Sequence, residues 1–126
     1  MSGVNTPFKD AGFMLKKENQ LKKDKEFDNV FKNGRSGFCK ILGVKAAVNR
    51  LETSRFGILV SNKISKKAVE RNKIKRQIRE VIRLQVFLIK PGFDVVIITL
   101  PPILGSSYKA LEEAIGCNFK KLGLYR

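Results

Sequence analysis

The sequence predicts an α+β fold, with elements in the order helix, strand, strand, helix, strand, helix (αββαβα). Three observations support this prediction. The chain has 126 residues, a length that suits one domain. Hydrophobic residues make up 43 % of it, which is enough for a packed core. Segments whose apolar residues recur at helical spacing alternate with short apolar runs that are typical of strands.

The first helix is expected over residues 23–33, where the apolar side chains share one helical face: Phe27, Val30 and Phe31. Gly34 directly after this segment can end the helix. A strand is expected over residues 38–48. A second strand, short and largely apolar, is expected over residues 55–61.

A long helix is expected over residues 66–88, and Pro91 with the following glycine ends it and turns the chain. Residues 93–100 are apolar and β-branched, which predicts a buried central strand. A last helix then runs to about residue 122, with Ser106 or Ser107 as its N-cap. Residues 1–14 show no such pattern and are expected to form a disordered leader or tag, which leaves 15–126 as a single α/β domain.

The charge of the chain is strongly positive. It has 26 Lys and Arg residues against 11 Asp and Glu residues and no His, which gives a formal net charge of +15. So large an excess usually serves a polyanion, either nucleic acid or anionic lipid. No apolar stretch approaches the roughly 18 residues that span a bilayer, and no secretory signal is visible.

Several classes of catalytic and metal site are excluded by composition. Cys39 and Cys117 cannot build a disulfide framework or, without His, a zinc site, and both suit a reducing cytoplasm. The lack of His removes the commonest general base, and no phosphate-binding or nucleophile motif occurs. We therefore expect no catalytic residue and no direct metal ligand in this chain.

The segment 61–83 concentrates the charge, with nine Lys or Arg residues and two Glu. On a helical wheel its apolar side consists of Ile74, Ile78, Val81 and Ile82, joined by Gln85. The opposite side consists of Asn72, Arg76, Arg79 and Arg83, with Lys73 and Lys75 on the flanks and Arg71 at the edge of the apolar side. One face should dock on the sheet, while the other offers a cationic ridge that suits nucleic-acid phosphates.

The cationic ridge has two other interpretations besides nucleic-acid binding, and the aromatic residues of the first helix also have more than one. The ridge could be a solvated helix face, or it could bind a membrane surface, although its apolar residues point toward the sheet. Phe27 and Phe31 could stack on unpaired bases or belong to the core, and both hold if the rings form the floor of a cleft.

The run RFGILVSNKISKKAVERNKIKRQIRE closely resembles the signature of the bacterial ribonuclease P protein family. That family has a strand ending in V-S-x-K, a short loop, and A-V-x-R-N-x-x-K-R-x-x-R on a helix. The upstream run LKKDKEFDNVFKNG is similar to the family pattern L-x-x-x-x-x-F-x-x-V-F-x-x-G. The resemblance covers about residues 15–126.

The resemblance implies a two-layer α/β sandwich like that of some ribosomal proteins, with a left-handed βαβ crossover. It implies a cytoplasmic protein without a membrane partner that is monomeric when free. It also implies an accessory subunit of an endoribonuclease, whose partners are the catalytic RNA and precursor tRNA. In such an assembly the RNA holds Mg²⁺ and cleaves the 5′ leader from the tRNA, while the protein binds the leader and the RNA.

The resemblance also assigns residues to two surfaces. The leader-binding cleft is expected to contain Phe27, Phe31, Ser36, Lys45, Lys63 and Tyr125. The surface for the catalytic RNA is expected to contain Arg71, Asn72, Lys73, Lys75, Arg76, Arg79 and Arg83. Lys45 stands at an aromatic position of the family cleft, so leader contacts should be more electrostatic here. Lys73 stands where the family often has an Arg, so a planar guanidinium is replaced by a point charge. A non-catalytic RNA-binding module, such as a ribosomal protein, and a membrane-active cationic protein are the competing hypotheses.

Overall fold

A computed structural model describes residues 16–126, in which three helices pack against a four-stranded sheet. In chain order the elements are α1 (Asp24–Asn33), β1 (Arg35–Phe38), β2 (Leu42–Val48), β3 (Arg55–Leu59), α2 (Ala68–Gln85), β4 (Phe93–Thr99) and α3 (Tyr108–Lys121). The predicted α+β fold is confirmed. The leader expected over residues 1–14 lies outside the described residues.

The strands lie in the order β1-β2-β4-β3. The β1–β2 and β2–β4 pairs are antiparallel, and the β3–β4 pair is parallel. Helix α2 provides the crossover between β3 and β4, as a parallel pair requires. The left-handed sense of this crossover stays a prediction.

The structure corrects one element of the predicted order. The strand expected over 38–48 corresponds to β2 and begins later, at Leu42, and an additional strand, β1, precedes it and pairs with it as a hairpin. β1 was missed because it is a short edge strand whose residues are mostly exposed, so it has no apolar pattern. The turn is closed by the backbone N–H of Cys39, which donates to the carbonyl of Leu42 at 2.9 Å.

One face of the sheet, here called the closed face, is covered by α2 and α3. Its core is continuous and apolar, and it includes Val44, Phe56, Ile78, Val95, Ile97, Ile115 and Phe119. Ser107 caps α3 as predicted, because its hydroxyl accepts a hydrogen bond from the N–H of Ala110 at 3.1 Å. Hydrophobic burial on this face is the main stabilising contribution to the fold.

The other face, here called the open face, carries only α1. Its buried cluster is much smaller: Leu21, Val30, Ala47 and Val96, with Phe27 and Ile98 packed against it. Helix α1 therefore crosses the sheet from β3 toward β2 and leaves other strand positions on this face uncovered.

Candidate nucleic-acid interface

The docking of α2 onto the closed face determines which of its charges reach the surface. Its apolar stripe is buried as the wheel predicts: Ile74, Ile78, Val81 and Ile82. Because this stripe is fixed against the core, the remaining sides of the helix face outward.

Three cations lie in a row along the border between the buried and exposed sides of α2. Arg71, Lys75 and Arg79 follow at spacings of four residues, so their side chains are neighbours on the helix, and all three are half-buried. Burial lowers the pKa of Lys75, and the nearby Arg79 and Arg71 guanidinium groups lower it further. Burial also lowers the pKa of Arg79. We call these three residues the basic row.

The basic row begins at an ordered helix start. The Arg71 guanidinium donates from Nη1 to the backbone carbonyl of Ser65 at 2.8 Å. The Ser65 hydroxyl in turn donates to the carboxylate of Glu70. These contacts hold the loop that precedes α2 against its first turn, where the N-cap Lys67 provides no side-chain cap. Arg71 was expected at the edge of the apolar side, and it lies there.

The other expected residues of α2 differ in their exposure. Asn72, Lys73 and Arg76 are exposed. Arg83 is partly buried and forms an ion pair with Glu80 three residues earlier, with Nη2 to Oε1 at 2.5 Å and Nε to Oε2 at 3.1 Å. The hydrogen bond that Arg83 donates to the Glu80 carboxylate raises the pKa of Arg83. The continuous ridge of the wheel is therefore interrupted at Arg83.

On the open face, α1 lies close to the sheet because one strand residue has no side chain. A Cβ atom built on Gly57 would lie 2.5 Å from ring carbons of Phe27. Val30 is fully buried in the small cluster beneath the helix. The structure thus makes Phe27 part of the packing, whereas Phe31, one turn later, remains 40 % exposed.

The exposed ring of Phe31 faces a cation on the sheet. Lys45 Nζ lies 5.6 Å from the centroid of the Phe31 ring, within the range of a cation–π interaction. Ser36 on β1 is paired directly with Lys45 on β2, so both side chains lie on the same face. Phe27, Phe31, Ser36 and Lys45 thus lie on one face, in the region where α1 meets the sheet, and we call this region the open-face groove.

An ion network that the sequence did not reveal fixes the start of α1. Arg55 at the start of β3 makes a bidentate pair with Asp94 on β4, at 2.8 and 2.7 Å. Arg55 Nη1 also contacts Glu26 Oε2 on α1 at 2.8 Å. Asn49 donates to the same Asp94 carboxylate at 2.8 Å. The charged residue in the apolar run FDVVIIT was the one signal in the sequence that could have indicated a buried partner.

Glu26 belongs to this ion network and also caps the N-terminus of α1. Its carboxylate accepts hydrogen bonds from the backbone N–H groups of Lys22 and Lys23, both at 3.1 Å. Burial acts to raise the pKa of Glu26, but the two N–H donors and the charges of Arg55 and Lys23 outweigh it, so the pKa is lowered. The side chain therefore remains charged and clamps α1 to the sheet.

Two residues expected in the cleft lie outside the open-face groove. Lys63 is exposed in the turn after β3, where its backbone N–H donates to the Ser61 hydroxyl at 3.2 Å. Tyr125 packs on the closed face, with its ring centroid 6.0 Å from that of Phe119. Its hydroxyl donates to Gln85 Oε1 at 2.8 Å, so it is not brought to the groove.

Within residues 16–126, no cluster of three or more His, Cys, Asp or Glu side chains occurs that could hold a metal ion. In the same part of the chain, no helix combines the length and hydrophobicity needed to cross a bilayer.

Comparison with known proteins identifies the family. The family model described as Ribonuclease P matches residues 15–123. The ribonuclease P protein component of Synechocystis is 41 % identical over 115 residues, which cover 87 % of this chain and 90 % of the relative. That of Clostridium botulinum strain 657 is 39 % identical over 110 residues, covering 86 % and 98 %.

Solved structures agree with the sequence matches. The RNase P protein of Staphylococcus aureus superimposes with a TM-score of 0.79 at 28 % identity, over 86 % of this chain and 98 % of that one. The RNase P protein of Thermotoga maritima gives a TM-score of 0.74 at 30 % identity, over 81 % and 96 %. With motifs, fold and relatives all in agreement, this chain belongs to the ribonuclease P protein component family.

Proposed function

We propose that the chain is the protein subunit of a ribonuclease P ribonucleoprotein that removes the 5′ leader of precursor tRNA. In this proposal α2 binds the catalytic RNA and the open-face groove binds the single-stranded leader. The RNA carries the chemistry and holds most of the functional Mg²⁺. The assembly is cytoplasmic, and the free protein is a monomer.

The observation that carries the proposal is the basic row. Within residues 16–126, neither Lys75 nor Arg79 has an acidic partner, although both are half-buried and adjacent. Keeping like charges together in a partly desolvated position costs free energy in the free protein. A polyanion that lies along the row would remove this cost, because phosphates can accept hydrogen bonds from each cation.

The groove on the open face supports the second part of the proposal. Phe31 offers an exposed aromatic face for a base, and Lys45 lies beside it to meet a phosphate. Stacking on aromatic rings together with cationic contacts is the usual way in which proteins bind single strands. Because α1 and α2 lie on opposite faces of the sheet, one protein can contact two RNA elements together.

The proposal is tested by reconstitution. The purified chain is added to a bacterial ribonuclease P RNA at low Mg²⁺, and cleavage of precursor tRNA is followed. We expect the wild-type protein to stimulate cleavage, and the double variant Lys75→Gln/Arg79→Gln to bind the RNA more weakly. The charge-matched control is Lys120→Gln/Lys121→Gln, at the exposed end of α3, which should behave as wild type.

The outcomes separate the hypotheses. A chain that binds RNA but never stimulates cleavage would be a non-catalytic RNA-binding module. Equal weakening by both double variants would mean that binding follows net charge alone, and the assignment of α2 would then be wrong.

A further inference from the structure

The ring of Phe38 lies against the sheet beside the open-face groove. Phe38 on β1 is paired directly with Gly43 on β2, and its ring lies so close to that glycine that a Cβ atom there would collide with two ring carbons. Gly43 is buried, while Phe38 itself remains 51 % exposed. Part of the ring is therefore held against the sheet, and the rest is open to solvent.

Phe38 belongs to a row of strand residues that lies next to the residues beneath α1. The register aligns Phe38, Gly43, Ile98 and Leu59 across all four strands, and only Ile98 among them packs against the cluster beneath α1. The row beneath α1, Ser36, Lys45, Val96 and Gly57, lies two residues away along the strands, or about 7 Å. Leu59, at the far end of the Phe38 row, is 38 % exposed. The result is an apolar shelf across the open face.

The charges next to this shelf suit an RNA strand. Lys45 lies two residues after Gly43 on β2, so both face the same side of the sheet. The Lys45 ammonium group lies over the Phe31 ring. Lys40, in the turn between β1 and β2, is exposed. The four positions of the shelf carry no charge of their own. A base could stack on Phe38 while its phosphate contacts a neighbouring cation.

We propose that Phe38 is a second base-stacking site, which extends leader binding from Phe31 across the edge of the sheet. This inference rests on the proposed function, because it takes the ligand of the open-face groove to be single-stranded leader RNA. Phe31 and Phe38 then hold successive parts of the leader on either side of Lys45. From this second ring we expect affinity to depend on leader length and on the presence of a base at one leader position.

The experiment uses the assembled protein–RNA complex and compares two precursor tRNAs. One has a single-nucleotide leader and the other a leader of about eight nucleotides, within the usual site size of single-strand-binding folds. Binding is measured for the wild type and for Phe38→Leu, which keeps an apolar cover on Gly43 but removes the aromatic face. Phe38→Tyr keeps the ring, and Phe87→Leu removes a ring that is even more exposed, from the turn after α2.

We expect Phe38→Leu to lose about tenfold in affinity for the long-leader precursor and nothing for the short one. Phe38→Tyr and Phe87→Leu should bind both as wild type does. When single abasic nucleotides are scanned along the leader, one position should weaken the wild type without further weakening Phe38→Leu. That coupling assigns the base to the ring.

Two results would overturn the inference and can be told apart from failure of the proposed function. If Phe38→Leu keeps the wild-type ratio between the two precursors while Phe31→Leu reduces it, the leader binds the groove but not Phe38. If Phe38→Leu weakens both precursors equally, its effect is structural. If the wild type itself shows no dependence on leader length and Phe31→Leu changes nothing, the proposed function fails and this inference with it.

Discussion

The closed and open faces of the sheet hold their helices by different means. On the closed face, α2 and α3 bury a large apolar core in which Phe119 contacts Phe56 and Tyr125. On the open face, α1 buries little beyond Val30 and is tied down by the Arg55–Asp94–Glu26 network. The two faces therefore use their apolar surface differently: the closed face buries it in the core, and the open face leaves aromatic surface exposed, where the proposed function needs it to bind RNA.

The first prediction concerns the packing of the closed face and has the greatest effect. Phe119→Ala removes a fully buried ring and should lower the free energy of unfolding by about 3–5 kcal/mol. Phe31→Ala removes an equally large ring that is partly exposed and should cost less than about 1 kcal/mol. Denaturant titration of both variants provides the measurement. Comparable losses would make Phe31 a core residue and remove the distinction between the faces.

The second effect tests the ion network. Asp94→Ala leaves Arg55 without its bidentate partner at a carboxylate that is 3 % exposed. We expect a loss of about 3 kcal/mol, toward the lower end for a broken buried pair because Arg55 is partly exposed. Asp28→Ala, at an exposed position on α1, is the control and should be nearly neutral. If the two variants unfold alike, α1 is held by apolar contacts alone.

The elements of the fold differ in how well the sequence predicts them. α2 and β4 were predicted within a few residues, because a long amphipathic stripe and a β-branched apolar run depend only on local sequence. β1 could not be predicted, because an exposed edge strand is specified by its partner. The groove residues Phe31 and Lys45 came from the family pattern, but their contact depends on how α1 crosses the sheet.

Residues distant in the chain account for the remaining differences. Arg55 and Asp94 meet only because β3 and β4 pair in parallel at that register. Tyr125 is drawn to the closed face by the terminal segment, whose Leu124 carbonyl accepts a hydrogen bond from the N–H of Lys90 at 2.7 Å. These contacts are properties of the tertiary structure, which composition and periodicity do not contain. The Arg83–Glu80 pair is local instead, because the two residues lie three apart on one helix, so the sequence did contain its signal.

A third effect, smaller than the second, is a pH dependence that belongs to the open face. The pKa of Glu26 is lowered in the folded protein, so its contribution to stability is complete above the usual glutamate pKa. This contribution is lost as the pH falls through the lowered folded value. Unfolding measured from neutral to acidic pH should therefore show a steeper loss for the wild type than for Glu26→Gln. Parallel curves would exclude Glu26 as an electrostatic clamp.

The smallest expected effect distinguishes two arginines that lie four residues apart on α2. Each phosphate contact releases counterions, so removing one cation from the RNA interface should lower the slope of log affinity against log salt by about one. Arg79→Gln should show this change, because Arg79 is in the basic row without an acidic partner among residues 16–126. Arg83→Gln should leave the slope nearly unchanged, because Glu80 already neutralises that guanidinium. If both variants flatten the slope equally, the ion pair opens in the complex and the cationic surface of α2 reaches Arg83 after all.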